Sequence, residues 1–266
     1  MAKNPSPAHS RSSSVLAEAF AFLQQRMVAA ARRAASDTSN TEWQRDLSVS
    51  HARIGHLLQA QGDLGGALAA YRRGIEITEE LAASDPSNTQ WQRDLADSHN
   101  SIGSVLQAQG DLTGSLTAYR RSMESHLRLA ASDPSNSEWQ HDLSINHDRI
   151  GDVLLARGDL GGALAAYRSF MDIAARLVAS DPSNTEWQRD LSASHSKIGN
   201  VLQAKGDATE ALAAYQRGME IRIGLTGSDP SNAERQPDLS VRVDQGAIAG
   251  TAITSVSGST VTTNHD

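Results

Sequence analysis

The chain has no cysteine in its 266 residues. Disulfides and thiolate metal centres are therefore excluded, and the redox compartment is left open. It has no excess of positive charge either: 24 lysines and arginines stand against 31 aspartates and glutamates, a formal net charge of −7. Bulk electrostatics thus argue against a nucleic-acid binder, which normally presents a strongly basic face. No apolar run approaches the roughly 18 residues a membrane span needs. The N-terminal stretch MAKNPSPAHSRSSS carries Lys3 and Arg11 among prolines and serines and leads into no apolar core of secretory type. A soluble cytoplasmic protein is the expectation. Aromatic residues make up only 4%, and all four tryptophans fall in one phase of a repeat.

That repeat is legible by eye. SNTEWQRDLS at 39–48 returns as SNTQWQRDLA from Ser87, SNSEWQHDLS from Ser135, SNTEWQRDLS from Ser183 and SNAERQPDLS from Ser231, each copy 48 residues after the last. A fixed period of this kind means units that stack, in place of one central core.

Within residues 39–86, Ser39 and Glu42 have the S-x-x-E spacing of a capping box, which predicts a helix start. The spacing recurs at Ser87/Gln90, Ser135/Glu138, Ser183/Glu186 and Ser231/Glu234, and Pro86, Pro134, Pro182 and Pro230 close the segment before it. Trp43, Leu47, His51, Ile54 and Leu58 then form one helical face. Gly62 suits the left-handed position after a helix, and Asp63 suits the next N-cap. A second helix follows, with Leu64, Ala67, Leu68, Tyr71, Ile75 and Thr78 on one face. The unit is thus a hairpin of two antiparallel helices, each about 20 residues and roughly 30 Å long. Neither helix buries its stripe on one partner alone, so stacked hairpins form a solenoid. The tryptophans and tyrosines are expected in its core.

His51-x-x-Ile54-Gly55-x-x-Leu58 followed by Ala67-x-x-x-Tyr71 resembles the tetratricopeptide repeat. The pattern recurs through His99/Ile102/Gly103/Leu106 with Ser115/Tyr119, through His147/Ile150/Gly151/Leu154 with Ala163/Tyr167, and through His195/Ile198/Gly199/Leu202 with Ala211/Tyr215. The resemblance covers about residues 15–236 and looks like a long, bacterial-type form of a repeat whose usual unit is about 34 residues. It implies an all-α, right-handed superhelical solenoid of about four and a half hairpins. Residues 16–36 run in phase with second helices, Leu16 with Leu64 and Leu23 with Tyr71, so a half-hairpin at 15–36 opens the array. Full repeats follow at about 39–84, 87–132, 135–180 and 183–228. In the degenerate fifth start, 231–236, Arg235 replaces tryptophan with a solvated side chain, as terminal repeats need. Pro237 breaks the next helix. Residues 1–14 and 237–266 are expected to be disordered or weakly structured.

No catalytic constellation emerges. His51, His99, His147 and His195 are spaced a hairpin apart, on the order of 10 Å, whereas zinc needs ligands near about 2 Å, so they are expected to line the core or its boundary. Asp46, Asp94, Asp142 and Asp190 lie off the core stripe, where they are placed to bond a neighbouring helix. Gly65-Gly66 lacks the lysine and preceding strand of a phosphate loop. No enzyme activity, metal or cofactor is expected.

Difference among near-identical copies is the informative signal. Four phases of the first helix vary: Val49/Asp97/Ile145/Ala193, Ala52/Asn100/Asp148/Ser196, Arg53/Ser101/Arg149/Lys197 and His56/Ser104/Asp152/Asn200. Drift of a solvated face accounts for such variation. The resemblance implies a second account, a concave groove of first helices that holds a partner segment. On that account Arg53, Arg149 and Lys197 form a basic row for acidic partner groups. Val49, Ile145 and Leu155 give apolar contact, and His56, Asn100, Asp152 and Asn200 complete the candidate face. The expectation is a non-catalytic protein-interaction scaffold for a protein or peptide partner. A regulatory array working with an effector, or one that assembles with itself through its ends, is the alternative.

Overall fold

The computed structural model describes residues 7–228. Among them the chain forms α1 (Pro7–Ser36), α2 (Thr41–Ala60), α3 (Leu64–Ser84), α4 (Thr89–Ala108), α5 (Leu112–Ser132), α6 (Ser137–Ala156), α7 (Leu160–Ser180), α8 (Thr185–Lys205) and α9 (Ala208–Ser228), with no strand. Each helix packs on the next in chain order, and in addition α2 touches α4 and α6 touches α8. Neighbours in sequence are neighbours in space, which makes the chain an all-α solenoid of helix hairpins. Even-numbered helices are the first helices of their hairpins and odd-numbered ones from α3 onward are the second. None of these helices is long and apolar enough to cross a membrane.

The helix starts differ from the expected capping box. The N-caps are Asn40, Asn88, Asn136 and Asn184, one residue later than the serines. Each asparagine oxygen accepts the N–H of the tryptophan three residues on, at 3.1 Å for Trp43, Trp91 and Trp139 and 3.2 Å for Trp187. The serine is taken by the residue before the proline. Asp133 Oδ1 accepts both the backbone N–H of Ser135, at 3.0 Å, and its hydroxyl, at 2.6 Å, and these bonds lower the Asp133 pKa. Asp85 and Asp133 are extended, as residues before proline should be. Asn136→Ala is therefore expected to cost about 1 kcal/mol, and Ser135→Ala less, in urea unfolding. The reverse ranking would restore the serine as the cap.

The intra-hairpin turn is as expected. Gly62 has φ +82°, and the Asp63 N–H bonds back to Leu58 O at 2.9 Å, closing the helix in a Schellman arrangement. Asp63 then caps α3 by accepting from Gly66 N at 2.8 Å. The hairpin closes around one contact. Tyr71, Tyr119 and Tyr167 are buried, each flat against a glycine of its own first helix. A Cβ added at Gly103 would sit 2.7 Å from the Tyr119 ring, so only glycine allows the helices this close.

Two further expectations change. The tryptophans are only half-buried, because they sit in the first turn of each first helix, at the rim of the stack. Trp187, for example, packs on the edge of a cluster of Ala130, Leu143, Ile173 and Leu177. The core aromatics are Tyr71, Tyr119, Tyr167 and Phe170. Helix α1 begins at Pro7, ahead of Val15, so 7–14 is helical where a disordered segment was expected; proline is favoured at a first helical position. The expectations for 231–236 and 237–266 lie outside the described residues.

Candidate partner-binding face

Several members of the varying phases, Asn100, Ser104, Asp148, Asp152 and Lys197, lie where successive first helices meet, and that edge is held by polar bonds between repeats. Arg45 donates to Asp94 through Nε at 2.5 Å and Nη2 at 3.1 Å, linking α2 to α4. Gln59 Nε2 donates to Ser104 Oγ at 3.2 Å. Arg93 bonds Glu138, and Asn146 Nδ2 donates to Asn100 Oδ1 at 3.0 Å, linking α4 to α6. His141 Nε2 lies 2.7 Å from Asp190 Oδ2, linking α6 to α8, and this bond raises the histidine pKa. Asp94 and Asp190 thus bond a neighbouring helix, as their phase implied.

The expected basic row is interrupted at its third member. Lys197 Nζ donates to Asp148 Oδ1 at 2.6 Å and to Asp152 Oδ1 and Oδ2 at 2.8 and 3.0 Å. It also lies 5.4 Å from the centroid of the Tyr167 ring. Burial works against its charge, but the bonds to Asp148 and Asp152 win and its pKa is raised. Two carboxylates already match it. Arg149 lies over the Tyr119 ring, Cζ 6.0 Å from the centroid. Arg53 is exposed and is the member of the row with neither contact among the described residues.

The fourth phase has a structural duty that sequence reasoning missed. Tyr71 OH bonds His56 Nδ1 at 2.7 Å and donates to Gln59 Oε1 at 3.0 Å. Tyr167 OH donates to Asp152 Oδ1 at 2.7 Å, and Tyr215 OH to Asn200 Oδ1 at 2.8 Å. His56 and Asp152 therefore satisfy the hydroxyls of the buried Tyr71 and Tyr167, and Asn200 that of the half-buried Tyr215. The signal was available: this phase is polar in every copy and always precedes a tyrosine by fifteen residues. Burial pushes the Tyr71 hydroxyl up to about 12.

The middle of the face, α4 to α6, is polar beneath as well as above. Asn146, fully buried, also donates to Ser122 Oγ at 2.9 Å, and Asn100 Nδ2 lies 3.4 Å from His126 Nε2. His126 sits where other second helices have Thr78 and Ala174. On the surface above, the Asp97 carboxyl is pushed up to about 6, first by the density of protein around it and then by the charge of Asp142. The residue's outer edge still reaches solvent. Val49 and Ile145 are half-buried on the same face, and Leu155 packs against the core. No group of three or more histidine, aspartate or glutamate side chains among the described residues could hold a metal ion.

Residues 49–81 and 95–134 each match a family model described as tetratricopeptide repeat. Among solved structures, the apo form of RapI is 13% identical over 75% of this chain and 49% of its own, with a TM-score of 0.51. BtubC (BKLC) from P. vanneervenii is 16% identical over 92% of this chain and 99% of its own at a TM-score of 0.47. MamA is 13% identical, covering 85% and 99%, at 0.48. At these identities the likeness concerns the fold alone. No curated protein matches the chain.

Proposed function

The chain belongs to the tetratricopeptide-repeat family, and from that premise we propose that it is a non-catalytic scaffold that holds a segment of a protein partner along the face of its first helices. One observation carries this reading. Among the side chains that differ from copy to copy, Asn100, Asp148 and Lys197 sit on the edge where first helices are cross-bonded by Arg45–Asp94, Asn146–Asn100 and Lys197–Asp148. A face held this way is ordered before a partner arrives, which lowers the entropic cost of binding. Ile145 offers apolar contact toward its middle, and Val49 at its α1 end. Acidic and basic groups around them favour a partner chosen by charge pattern more than by apolar area.

The test is site-specific photocrosslinking in lysate. A benzophenone side chain replaces Val49 or Ile145 on the first-helix face, or Arg72 or Arg120 on exposed second-helix surface. The same partner band from both first-helix sites, and none from the others, is the expected result. Crosslinks from Arg72 or Arg120 alone would move the function to the opposite face.

A further inference from the structure

Where α1 meets α2 the surface closes into a small notch of about 80 Å³, lined by Arg26 and Arg33 of α1 and by Asp46, Val49, Ser50 and Arg53 of α2. Three guanidinium groups there face one carboxylate. The Asp46 bond is weak: Arg33 Nη2 is 3.7 Å from Asp46 Oδ2, with both side chains more than half exposed. Elsewhere on the first helices Arg45, Arg93 and Lys197 are matched by Asp94, Glu138 and Asp148. The cations of the notch are therefore under-matched where those of the interior are not.

The two arginines of α1 also depart from the repeat. At the phase of Arg33, later second helices carry Leu81, Leu129 and Leu177, all buried; at the phase of Arg26 they carry Gly74, Ser122 and Phe170. Solvation of a terminal helix explains loss of leucine, but it does not explain two charges of one sign set beside the Arg53 of α2. Nor is it imposed evenly on this chain. Helix α9 leaves Leu212 57% and Met219 51% exposed, where Leu116 and Leu164, at the phase of Leu212, are buried.

We propose that the notch formed by Arg26, Arg33 and Arg53 binds a carboxylate of an acidic segment in a protein partner. This deepens the scaffold reading and rests on it. Guanidinium groups offer paired N–H donors in the fork that a carboxylate matches. The notch has room for the volume of only a few water molecules, which suits one carboxylate group. Val49 lines the same notch, so a segment anchored there by an acidic side chain continues onto the first-helix face.

The experiment is fluorescence anisotropy of a fluorescein-labelled hexaglutamate peptide against the full chain at low ionic strength, where surface charge is least screened. The test variant is Arg26→Gln/Arg53→Gln. The control, Arg189→Gln/Arg217→Gln, removes the same charge from the other end of the array. The expected result is affinity at least about tenfold weaker in the test variant, the scale of one lost charged hydrogen bond, and within about twofold in the control. Equal loss in both variants, or no saturable binding to the parent, overturns the proposal. In a second arm, displacement of the peptide by inorganic phosphate but not by chloride of equal ionic strength overturns the peptide source in favour of a free oxyanion. Failure here leaves the scaffold reading standing, because the crosslinking test uses neither this peptide nor these arginines.

Discussion

Tyr167→Ala is expected to lower the unfolding free energy by about 3–5 kcal/mol, the cost of emptying a large aromatic site, and to split the urea transition in two. The ring is fully buried and lies against Gly151 of its own hairpin. It belongs to one cluster with Ile198, Val201 and Leu202 of the following first helix. Its hydroxyl donates to Asp152, and the Lys197 ammonium that Asp152 holds lies over its face. One side chain thus joins α6, α7 and α8. In a stacked array each unit is stabilised by its neighbours, so loosening one junction uncouples what lies on either side. Trp139 and Trp187 report the two sides by fluorescence. Tyr167→Phe keeps the ring and loses the hydroxyl bond, and is expected to cost about 1 kcal/mol with the single transition intact. If the alanine variant lost no more than the phenylalanine variant, the ring would not be the element that couples the hairpins.

What could be read from the sequence, and what could not, divides along physical lines. Gly62 and Asp63 were legible because a left-handed position and an N-cap each demand a residue type locally. Tyr71 and Gly55 were legible as a family pattern, although only the structure gives the reason, a ring where a Cβ would be. The caps were misplaced by one residue because serine and asparagine are both good caps, and the choice depends on Asp37 and its copies capturing the serine first. The tryptophans were placed too deep, since a helical phase says which side a residue faces and not how near the rim it stands. Lys197 was the costliest miss for the candidate face. Its partners lie 45 and 49 residues away, a separation set by how hairpins stack. A sequence clue existed all the same: Asp148, Asp152 and Lys197 each depart from most other copies of their phases, and they do so in adjacent repeats.

Acid is expected to weaken the array well above the pH at which its carboxylates protonate, with two buried histidines as the main cause. Burial, and then the charge of Arg121, depresses His99 to about 4; burial, and then Arg149 and Arg93, does the same to His126. In the unfolded chain both return to about 6.5. Between about pH 6.5 and 4 the unfolded state therefore binds protons that the folded state refuses, and stability falls as pH drops through that window. Each histidine contributes on the order of 3 kcal/mol by the time pH reaches 4, at 1.36 kcal/mol per unit. Asp97 acts in the opposite sense. Its folded pKa of about 6 lies above the ordinary 3.8, so the folded state takes up a proton first and gains stability as pH falls. Asp142, Asp148 and His141 are raised too and act with Asp97. Burial lowers His51, His56, His147 and His195 along with His99 and His126. The lowered histidines are more numerous, so the net effect of acid is a loss of stability. Urea midpoints measured at pH 7 and pH 5 should fall with acid. His126→Thr, which copies Thr78 at the same phase, should make the fall smaller by removing one of the two most depressed histidines. An unchanged pH dependence in that variant would mean that the buried junction of Asn100, His126 and Asn146 is not what titrates. The same variant separates stability from recognition, since His126 lies beneath the first-helix face and Arg26, Arg33 and Arg53 lie at its far edge.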